Sequence, residues 1–305
     1  MKNKYIIAVV GPTAVGKTAL SVGLAKRYNT CVLSADSRQI YKELSIGTAK
    51  ATVEEQQGIQ HYFVDSISIE EPFNAGMFER EGLLLLDILF QKHDVVVVCG
   101  GTGLYVKALL EGMDELPETD QELREALNKE FEERGLEVMA AELNNIDPLT
   151  YEQIDLKNPL RVFRAIEIYR QTGKQLSAFK TGTKKARSFE TIKIGLNMPR
   201  EELYERIDQR MDLMLEAGLE AEAEANIQYR NLNALQTVGY SEIFGFIDGL
   251  YDREEMIRLL KRNSRRYAKR QLTWFTKDQE VKWFHAGALG EIVAFVESQF
   301  KQGVQ

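Results

Sequence analysis

Residues 5–18 read YIIAVVGPTAVGKT, and the fold prediction starts from this stretch. Its first six residues are apolar or aromatic and mostly β-branched, which is typical of a strand buried on both faces. Gly11, Gly16, Lys17 and Thr18 then match G-x-x-x-x-G-K-[ST], and residues 19–27 continue as a predicted helix. Glycines in this pattern let backbone N–H groups surround an anion, and the lysine neutralises phosphate charge. The stretch therefore predicts a phosphate-binding loop between a strand and a helix.

Two side chains with oxygen atoms, Thr18 and Asp36, could bind a metal ion or react near a phosphate held by this loop. The Thr18 hydroxyl can ligate Mg²⁺, so we expect a di- or triphosphate bound together with that ion. Asp36 ends a second predicted strand, TCVLSAD at 30–36. A carboxylate there could ligate Mg²⁺ through water or take a proton from a nucleophile. The alternative is that Asp36 only caps a helix.

The composition limits the class of protein. The chain has 305 residues, 44% of them apolar, which is enough for one large or two modest domains. Cys31 and Cys99 lie in apolar runs, so we expect buried thiols and a reducing, cytoplasmic compartment rather than a disulfide. We expect neither a signal peptide nor a membrane span. The net charge of −7 argues against a uniformly basic surface but allows a local basic groove.

Strands and helices alternate over the first 110 residues, and this order predicts a parallel sheet with helices on both faces. The fold class is therefore α/β, of the type built on a phosphate-binding (P-) loop, as in P-loop NTPases. Residues 115–188 show only helical periodicity and predict an all-helical insertion domain, after which a strand returns at 191–198. The core domain would comprise residues 1–114 and 189–305, with its last hundred residues mostly helical.

The predicted strand at 94–99, DVVVVC, is followed by Gly100, Gly101 and Thr102 instead of an acidic residue. An NTP hydrolase usually carries a carboxylate there to hold Mg²⁺ and position water, so its absence argues against a motor or a switch. The glycines permit close backbone approach, and Thr102 offers a hydroxyl to a substrate. A plain strand-to-helix turn is the alternative.

Basic residues cluster in two predicted helices. Arg206 and Arg210 lie on one helix face, where they could bind phosphate oxygens or form ordinary salt bridges. The segment 261–275, KRNSRRYAKRQLTWF, is densely basic and ends in aromatic residues. A stripe of this kind suits an RNA backbone, and its aromatics could stack on unpaired bases. The alternative is a solvated helix with its aromatics packed inward. The stripe comprises Arg262, Arg266, Lys269 and Arg270.

Together these features resemble the bacterial tRNA dimethylallyltransferases, also called tRNA isopentenyltransferases. The matching segments occur in order along nearly the whole chain. They are GPTAVGKT (11–18), SADSRQIYKELSIGTAK (34–50), GGTGLY (100–105), NPLRVFRA (158–165), RIDQRMDLMLEAGLEAE (206–222), TVGYSE (237–242) and AKRQLTWF (268–275).

The resemblance implies transfer of a dimethylallyl group from dimethylallyl diphosphate to N6 of the adenosine at tRNA position 37. The loop would hold the diphosphate leaving group, with Mg²⁺ as cofactor, and the helical insertion would bind the anticodon stem-loop. The protein would act as a monomer. Base flipping would bring the adenine to the isoprenoid.

The resemblance also assigns roles to individual residues. The catalytic residues would be Asp36 as general base, Thr102 and Arg210, and the metal would be held by Thr18 and Asp36. The diphosphate would be bound by Gly11, Pro12, Thr13, Ala14, Val15, Gly16, Lys17, Thr18 and Arg210. The tRNA would be contacted by Asp36, Ser37, Arg38, Gln39, Thr102, Arg124, Asn158, Arg161, Arg164, Gly239, Tyr240, Lys269, Arg270, Gln271 and Trp274.

The chain departs from the family pattern at three positions outside these catalytic residues. Glu43 stands where a glycine is usual, Ala51 where a proline is usual, and Leu160 where a second arginine is common. These departures bear on local loop shape and on one RNA contact.

Other functions compete with this interpretation. A small-molecule kinase also pairs a phosphate loop with an acid after the second strand, but it has no need of the 261–275 segment. A prenyltransferase acting on free adenine nucleotides, or a nucleotide-gated RNA-binding module without catalysis, would share the loop.

Overall fold

The sheet is organised around its most buried strand. The computed structural model describes residues 3–118 and 120–302. β1 is buried at every residue, and Ile7 pairs with Val97 on one side and Ile192 on the other. All strand pairs are parallel, in the order β3-β2-β4-β1-β5-β6. The strands are β1 (Tyr5–Val10), β2 (Val32–Ser34), β3 (His61–Tyr62), β4 (Val95–Cys99), β5 (Glu190–Asn197) and β6 (Lys282–His285).

The carboxyl ends of three neighbouring strands meet at one edge of this sheet. Cys99 at the end of β4 pairs with Val9 of β1 and with Ser34 of β2. The loops that follow these strands begin at residues 11, 35 and 100. Because parallel strands bring their carboxyl ends to the same edge, the three loops lie side by side where α/β proteins bind ligands.

The chain divides into two compact units, residues 1–111 with 186–305 and residues 112–185.

The sequence predicted an α/β fold with a parallel sheet and helices, and this is confirmed. The helices are α1 (Lys17–Arg27), α2 (Val53–Gln56), α3 (Ala75–Leu89), α4 (Gly103–Glu111), α5 (Gln121–Arg134), α6 (Leu136–Ile146), α7 (Pro148–Gln153), α8 (Pro159–Thr172), α9 (Leu176–Phe179), α10 (Arg200–Glu216), α11 (Leu219–Ala225), α12 (Tyr240–Ile247), α13 (Arg253–Phe275) and α14 (Leu289–Gln302).

The smaller unit, with helices α5 to α9, has a hydrophobic core of its own, formed by Leu127, Met139, Leu143, Val162 and Ile166 among others. Proline at the first turn of α7 and of α8 suits a position where no backbone N–H is needed.

A buried carboxylate joins two helices of the smaller unit. The Glu167 side chain on α8 is fully buried and pairs with Arg124 of α5 at 3.0 Å and with Arg164 at 3.1 Å. It also accepts the backbone N–H of Asp120 at 3.1 Å. Its two positive neighbours and this N–H replace the water that the carboxylate loses on burial.

The edge strand β6 was not predicted, because the chain after residue 200 was expected to be mostly helical. Its four residues pair with β5 from Ile194 to Asn197. Trp283 of β6 covers Gly195, where a Cβ atom would lie 2.6 Å from the indole. The strand therefore depends on a tertiary partner, which a short local pattern does not reveal.

Among the described residues, no helix combines the length and the apolarity needed to cross a bilayer.

Replacing Glu167 by glutamine should destabilise the helical unit by about 2 kcal/mol, because the two guanidinium groups lose their buried counter-charge. Urea unfolding followed by circular dichroism measures this change. Glu133→Gln, an exposed change on α5, is the control and should shift stability by less than about 0.5 kcal/mol. Equal effects of the two variants would contradict the role given to Glu167.

Candidate phosphate-binding and catalytic site

The phosphate loop needs glycine at both ends. Gly11 has φ of 140° and lies so close to β5 that a Cβ atom would stand 2.6 Å from the Leu196 carbonyl oxygen. Gly16 has φ of 101° and precedes α1 directly. Between them Ala14 also has a positive φ, 64°. The positive φ values fold the loop tightly just before α1, and anion sites of this kind use the N–H groups of such a loop and of the first helical turn.

Two cations stand beside the loop. Lys17 Nζ donates a hydrogen bond to the Pro12 carbonyl at 2.7 Å, and Arg210 of α10 donates to the Thr13 hydroxyl. The pKa of Lys17 is lowered to about 8, mainly by burial; Cys99 and Asp36 oppose this shift and the nearby Arg210 adds to it. Burial also lowers the pKa of Arg210. Both side chains are half-buried, and neither forms an ion pair with another described residue, so an anion bound here is favoured.

Asp36 caps a turn, while its predicted roles as metal ligand and proton acceptor stay predictions. One oxygen, Oδ1, accepts the backbone N–H groups of Arg38 at 2.9 Å and of Gln39 at 3.3 Å, so the carboxylate caps a turn. Within residues 3–118 and 120–302, no hydrogen bond reaches its Oδ2. Its charge raises the pKa of both Lys17 and Arg210. Asp36 therefore lies near the cations with one oxygen available to a substrate or a metal ion.

Thr102 joins the loop after β4 to the loop after β2. Its Oγ1 accepts the backbone N–H of Ser37 at 3.0 Å and lies 3.3 Å from the Ser37 hydroxyl. Its own N–H donates to the Ala35 carbonyl at 3.4 Å. Thr102 and Asp36 are thus brought together at one edge of the sheet, although the sequence separates them widely.

Gln271 of α13 bridges two of the three loops. Its Oε1 accepts the Thr13 N–H at 2.8 Å, and its Nε2 donates to the Gly101 carbonyl at 3.0 Å. The side chain is buried, at 6% exposure. Its predicted tRNA contact stays a prediction, but both ends of this amide are bonded inside the protein. The sequence contains no local signal for this bridge, which spans more than half of the chain.

The basic stripe of α13 is partly exposed. Arg266, Lys269 and Arg270 are exposed, whereas Arg262 is half-buried and donates to Asn263. Trp274 is 43% exposed and lies on Gly103, where a Cβ atom would stand 2.1 Å from the indole. The stripe therefore presents three exposed cations, and Trp274 lies beside the turn that carries Thr102.

Several predicted RNA contacts have other partners in the structure. Tyr240 is completely buried, and its hydroxyl donates to Glu222 at 2.6 Å, so the side chain has a packing role. Gly239 is buried at the start of α12. In the helical unit, Arg124 and Arg164 pair with Glu167 as described above.

The remaining predicted contacts lie at the surface or near it. Arg161 is exposed on α8, and Asn158 stands half-buried immediately before that helix. Ser37, Arg38 and Gln39 are half-buried in the turn capped by Asp36.

Glu43, one of the departures from the family pattern, has a partner that explains it. Its carboxylate accepts the Ser68 hydroxyl at 3.1 Å and the Ile69 N–H at 2.9 Å. A glycine would lack these contacts. The substitution fastens the segment after Tyr41 to residues 68–69.

Among the residues that the structure describes, one group of acidic side chains could hold a metal ion, and it lies outside the phosphate loop. Oxygens of Glu111, Asp278 and Glu280 lie within 4.8 Å of one another. The buried Lys193 ammonium bonds to all three, at 2.6, 2.7 and 2.8 Å. Lys193 pairs with Ala8 in the interior of the sheet. The ammonium thus already supplies positive charge at this cluster.

Gln271→Met should weaken binding of inorganic pyrophosphate by about fivefold, because methionine keeps the volume but frees Thr13 and Gly101 from their common partner. Isothermal titration calorimetry gives the dissociation constant. Gln209→Met, an exposed change on α10, should leave it unaltered. Equal or tighter binding by the Gln271 variant would show that the bridge does not shape the loop.

Pyrophosphate affinity should fall as the pH rises above about 8, the pKa to which burial lowers Lys17. Only the protonated ammonium attracts the anion, so the association constant should drop by about tenfold per pH unit there. Lys17→Arg keeps its charge over this range and should lose that drop, even if it binds less tightly. The ligand's own titration is common to both proteins. Parallel curves for the two proteins would exclude Lys17 as the titrating group.

Comparison with known proteins identifies the family of this chain. A sequence model described as IPP transferase matches residues 39–278. The tRNA dimethylallyltransferase of Cytophaga hutchinsonii is 79% identical over 300 residues, which cover 98% of this chain and 99% of that protein. The tRNA dimethylallyltransferase 1 of Bacteroides thetaiotaomicron is 44% identical and covers 96% of each chain.

Solved structures that are similar to this chain have names of the same kind. The full-length tRNA isopentenylpyrophosphate transferase of Bacillus halodurans superposes with a TM-score of 0.73 at 37% identity, covering 98% of this chain and 97% of that one. A eukaryotic dimethylallyltransferase acting on tRNA gives a TM-score of 0.77 at 28% identity, covering 94% of this chain and 75% of the other. With the family match spanning most of its length and close relatives along nearly all of it, the chain belongs to the IPP transferase family.

Proposed function

We propose that this protein transfers a dimethylallyl group from dimethylallyl diphosphate to N6 of the adenosine at position 37 of tRNA. The observation that carries the proposal is the placement of Asp36, with one oxygen available, beside the two desolvated cations Lys17 and Arg210. Such a site can hold a diphosphate and accept a proton from an amine that displaces it. Membership of the IPP transferase family supplies the substrate class.

The diphosphate is held by the loop from residue 11 to residue 18. The Thr13 N–H already donates to Gln271, so the remaining backbone donors, Lys17 and Arg210 bind the phosphate oxygens. As the bond between C1 of the isoprenoid and the diphosphate oxygen breaks, negative charge grows on that oxygen. Lys17 and Arg210 stabilise this charge more strongly than they would in water, because both are desolvated.

The residues present fit a magnesium ion, which this family's chemistry implies. The Thr18 hydroxyl is half-buried at the start of α1, and Asp36 Oδ2 has no hydrogen-bond donor among the described residues. Mg²⁺ in phosphate sites is ordinarily held by one or two protein oxygens together with phosphate and water. Thr18 and Asp36 would hold the ion, which would neutralise the leaving diphosphate.

The adenine amine is a weak nucleophile, so proton removal assists it. N6 forms a bond to C1 while the C1–O bond breaks, and the N6 proton passes to Asp36 as the new bond forms. Thr102 accepts the backbone N–H of Ser37, the residue after Asp36, and would contact the reacting nucleotide. Asp36 remains oriented because its other oxygen caps the turn at Arg38 and Gln39.

The RNA is bound by exposed cations. Arg266, Lys269 and Arg270 on α13 offer charge to the backbone, and Trp274 offers a ring for stacking beside the loop that carries Thr102. In the helical unit, Arg161 is the exposed arginine at the start of α8. We infer that this unit contacts the anticodon stem-loop.

The direct test supplies labelled dimethylallyl diphosphate and Mg²⁺ with bulk tRNA or with free AMP and ADP as acceptors, and in parallel supplies labelled ATP with small acceptors. Label in tRNA supports the proposal. Label in free adenine nucleotides would identify a different prenyltransferase, and transfer only from ATP would identify a kinase.

Asp36→Asn should lower the single-turnover rate of transfer by about a thousandfold, because the amide keeps the capping oxygen but cannot accept the proton. Binding of tRNA, measured by fluorescence anisotropy, should change by less than about twofold. Asp87→Asn, an exposed change on α3, is the control. A wild-type rate in the Asp36 variant would remove its assignment as general base, and a loss of RNA affinity alone would favour a binding module.

A further inference from the structure

Glu222 on α11 binds four donors with its two oxygens. Oε2 accepts the backbone N–H groups of Ser45 and Ile46, both at 2.8 Å. Oε1 accepts the N–H of Gly47 at 2.9 Å and the hydroxyl of Tyr240 at 2.6 Å. Three successive N–H groups around one anion form the kind of concavity, or nest, that proteins use to bind phosphate. Here the anion is a side chain of the protein itself.

The ring of Tyr240 packs against this nest at Gly47. The Tyr240 ring is completely buried, and a Cβ atom on Gly47 would stand 2.6 Å from it. Only glycine therefore fits at position 47. This contact accounts for parts of two matching segments, SIGT at 45–48 and VGYSE at 238–242, which pack against each other and contain none of the proposed catalytic residues.

The nest is connected to the proposed general base through Gln39. Gln39 Nε2 donates to the carbonyls of Thr48 and Ala49, each at 3.2 Å, immediately after the nest. Its backbone N–H donates to Asp36 Oδ1 at 3.3 Å, and its Oε1 accepts the Ser34 hydroxyl at 3.1 Å. The segment from residue 36 to residue 49 is thus fastened at both ends by the same glutamine.

Side chains have to fix this segment, because its backbone does not fix itself. Residues 35–50 contain neither a helix nor a strand, apart from a single bridge between Tyr41 and Ile67. Loops with few backbone ladders open at low free energy unless tertiary contacts hold them. Glu222 supplies three hydrogen bonds to a short part of the segment.

We propose that Glu222 is a positioning residue that, by holding the 45–47 nest, sets the orientation of the Asp36 carboxylate for proton transfer. This role rests on the proposed function. Among the described residues, no hydrogen bond joins Glu222 to the phosphate loop or to Arg210, so its effect should fall on the rate of transfer and not on diphosphate binding.

Glu222→Gln should lower the single-turnover rate, at saturating tRNA and dimethylallyl diphosphate, by about tenfold, because an amide can accept fewer of the four donors. The KM for dimethylallyl diphosphate should stay within about twofold of the wild-type value. Glu220→Gln is the matched control, since Glu220 lies two residues away and forms an ion pair with the exposed Arg253. A rate no lower than that of the control, or a parallel rise in KM, would overturn the proposal.

Tyr240→Phe removes one of the four donors and should lower the rate by about threefold. Because the hydroxyl acts through Glu222, the double variant should be no slower than Glu222→Gln alone. Multiplicative losses would show that Tyr240 and Glu222 act separately, contrary to the proposal.

Amide hydrogen exchange tests the nest independently of activity. In Glu222→Gln the amides of residues 45–47 and of Gln39 should exchange faster, while those of residues 11–18 keep their wild-type rates. If the wild-type protein transferred no dimethylallyl group, the proposed function would fail, and the exchange rates would still decide whether Glu222 holds the segment. Unchanged exchange at residues 45–47 would refute the positioning role.

Discussion

The desolvation of Lys17 and Arg210 is the constraint on which the site depends. Burying two cations beside each other is unfavourable, and Asp36 compensates them only in part. A bound anion offsets this unfavourable free energy. The buried cations therefore favour the binding of an anion such as diphosphate. The geometry of β1, the loop and α1 places the charges, while α10 contributes Arg210 from a distant part of the sequence.

The C-terminal helices complete this arrangement. α10 delivers Arg210 to the Thr13 hydroxyl, and α13 delivers Gln271 to the Thr13 N–H and the Gly101 carbonyl. Thr13 is thereby bonded to two helices. One of them, α13, also carries the exposed cations that we propose bind RNA. The phosphate loop of this protein is therefore not a self-contained motif. Two of its contacts come from helices that lie far from it in the sequence.

The sequence predicted those parts of the site whose position follows from local pattern and parallel topology. The spacing of Gly11, Gly16 and Lys17 specified the loop, and the ends of β2 and β4 brought Asp36 and Thr102 to one edge. It could not predict partners whose choice depends on packing between distant segments. The bridge by Gln271 and the burial of Tyr240 are of this kind, and β6 forms because β5 offers it an edge.

The short edge strands of the sheet disfavour self-association through strand pairing. β3 has only two residues and β6 only four, so neither border displays a long row of unpaired backbone groups. A foreign strand would gain few hydrogen bonds by adding to either side, which discourages cross-β stacking between copies. The short edge strands β3 and β6 also keep the interior strands, which are rich in valine and isoleucine, from pairing with another chain.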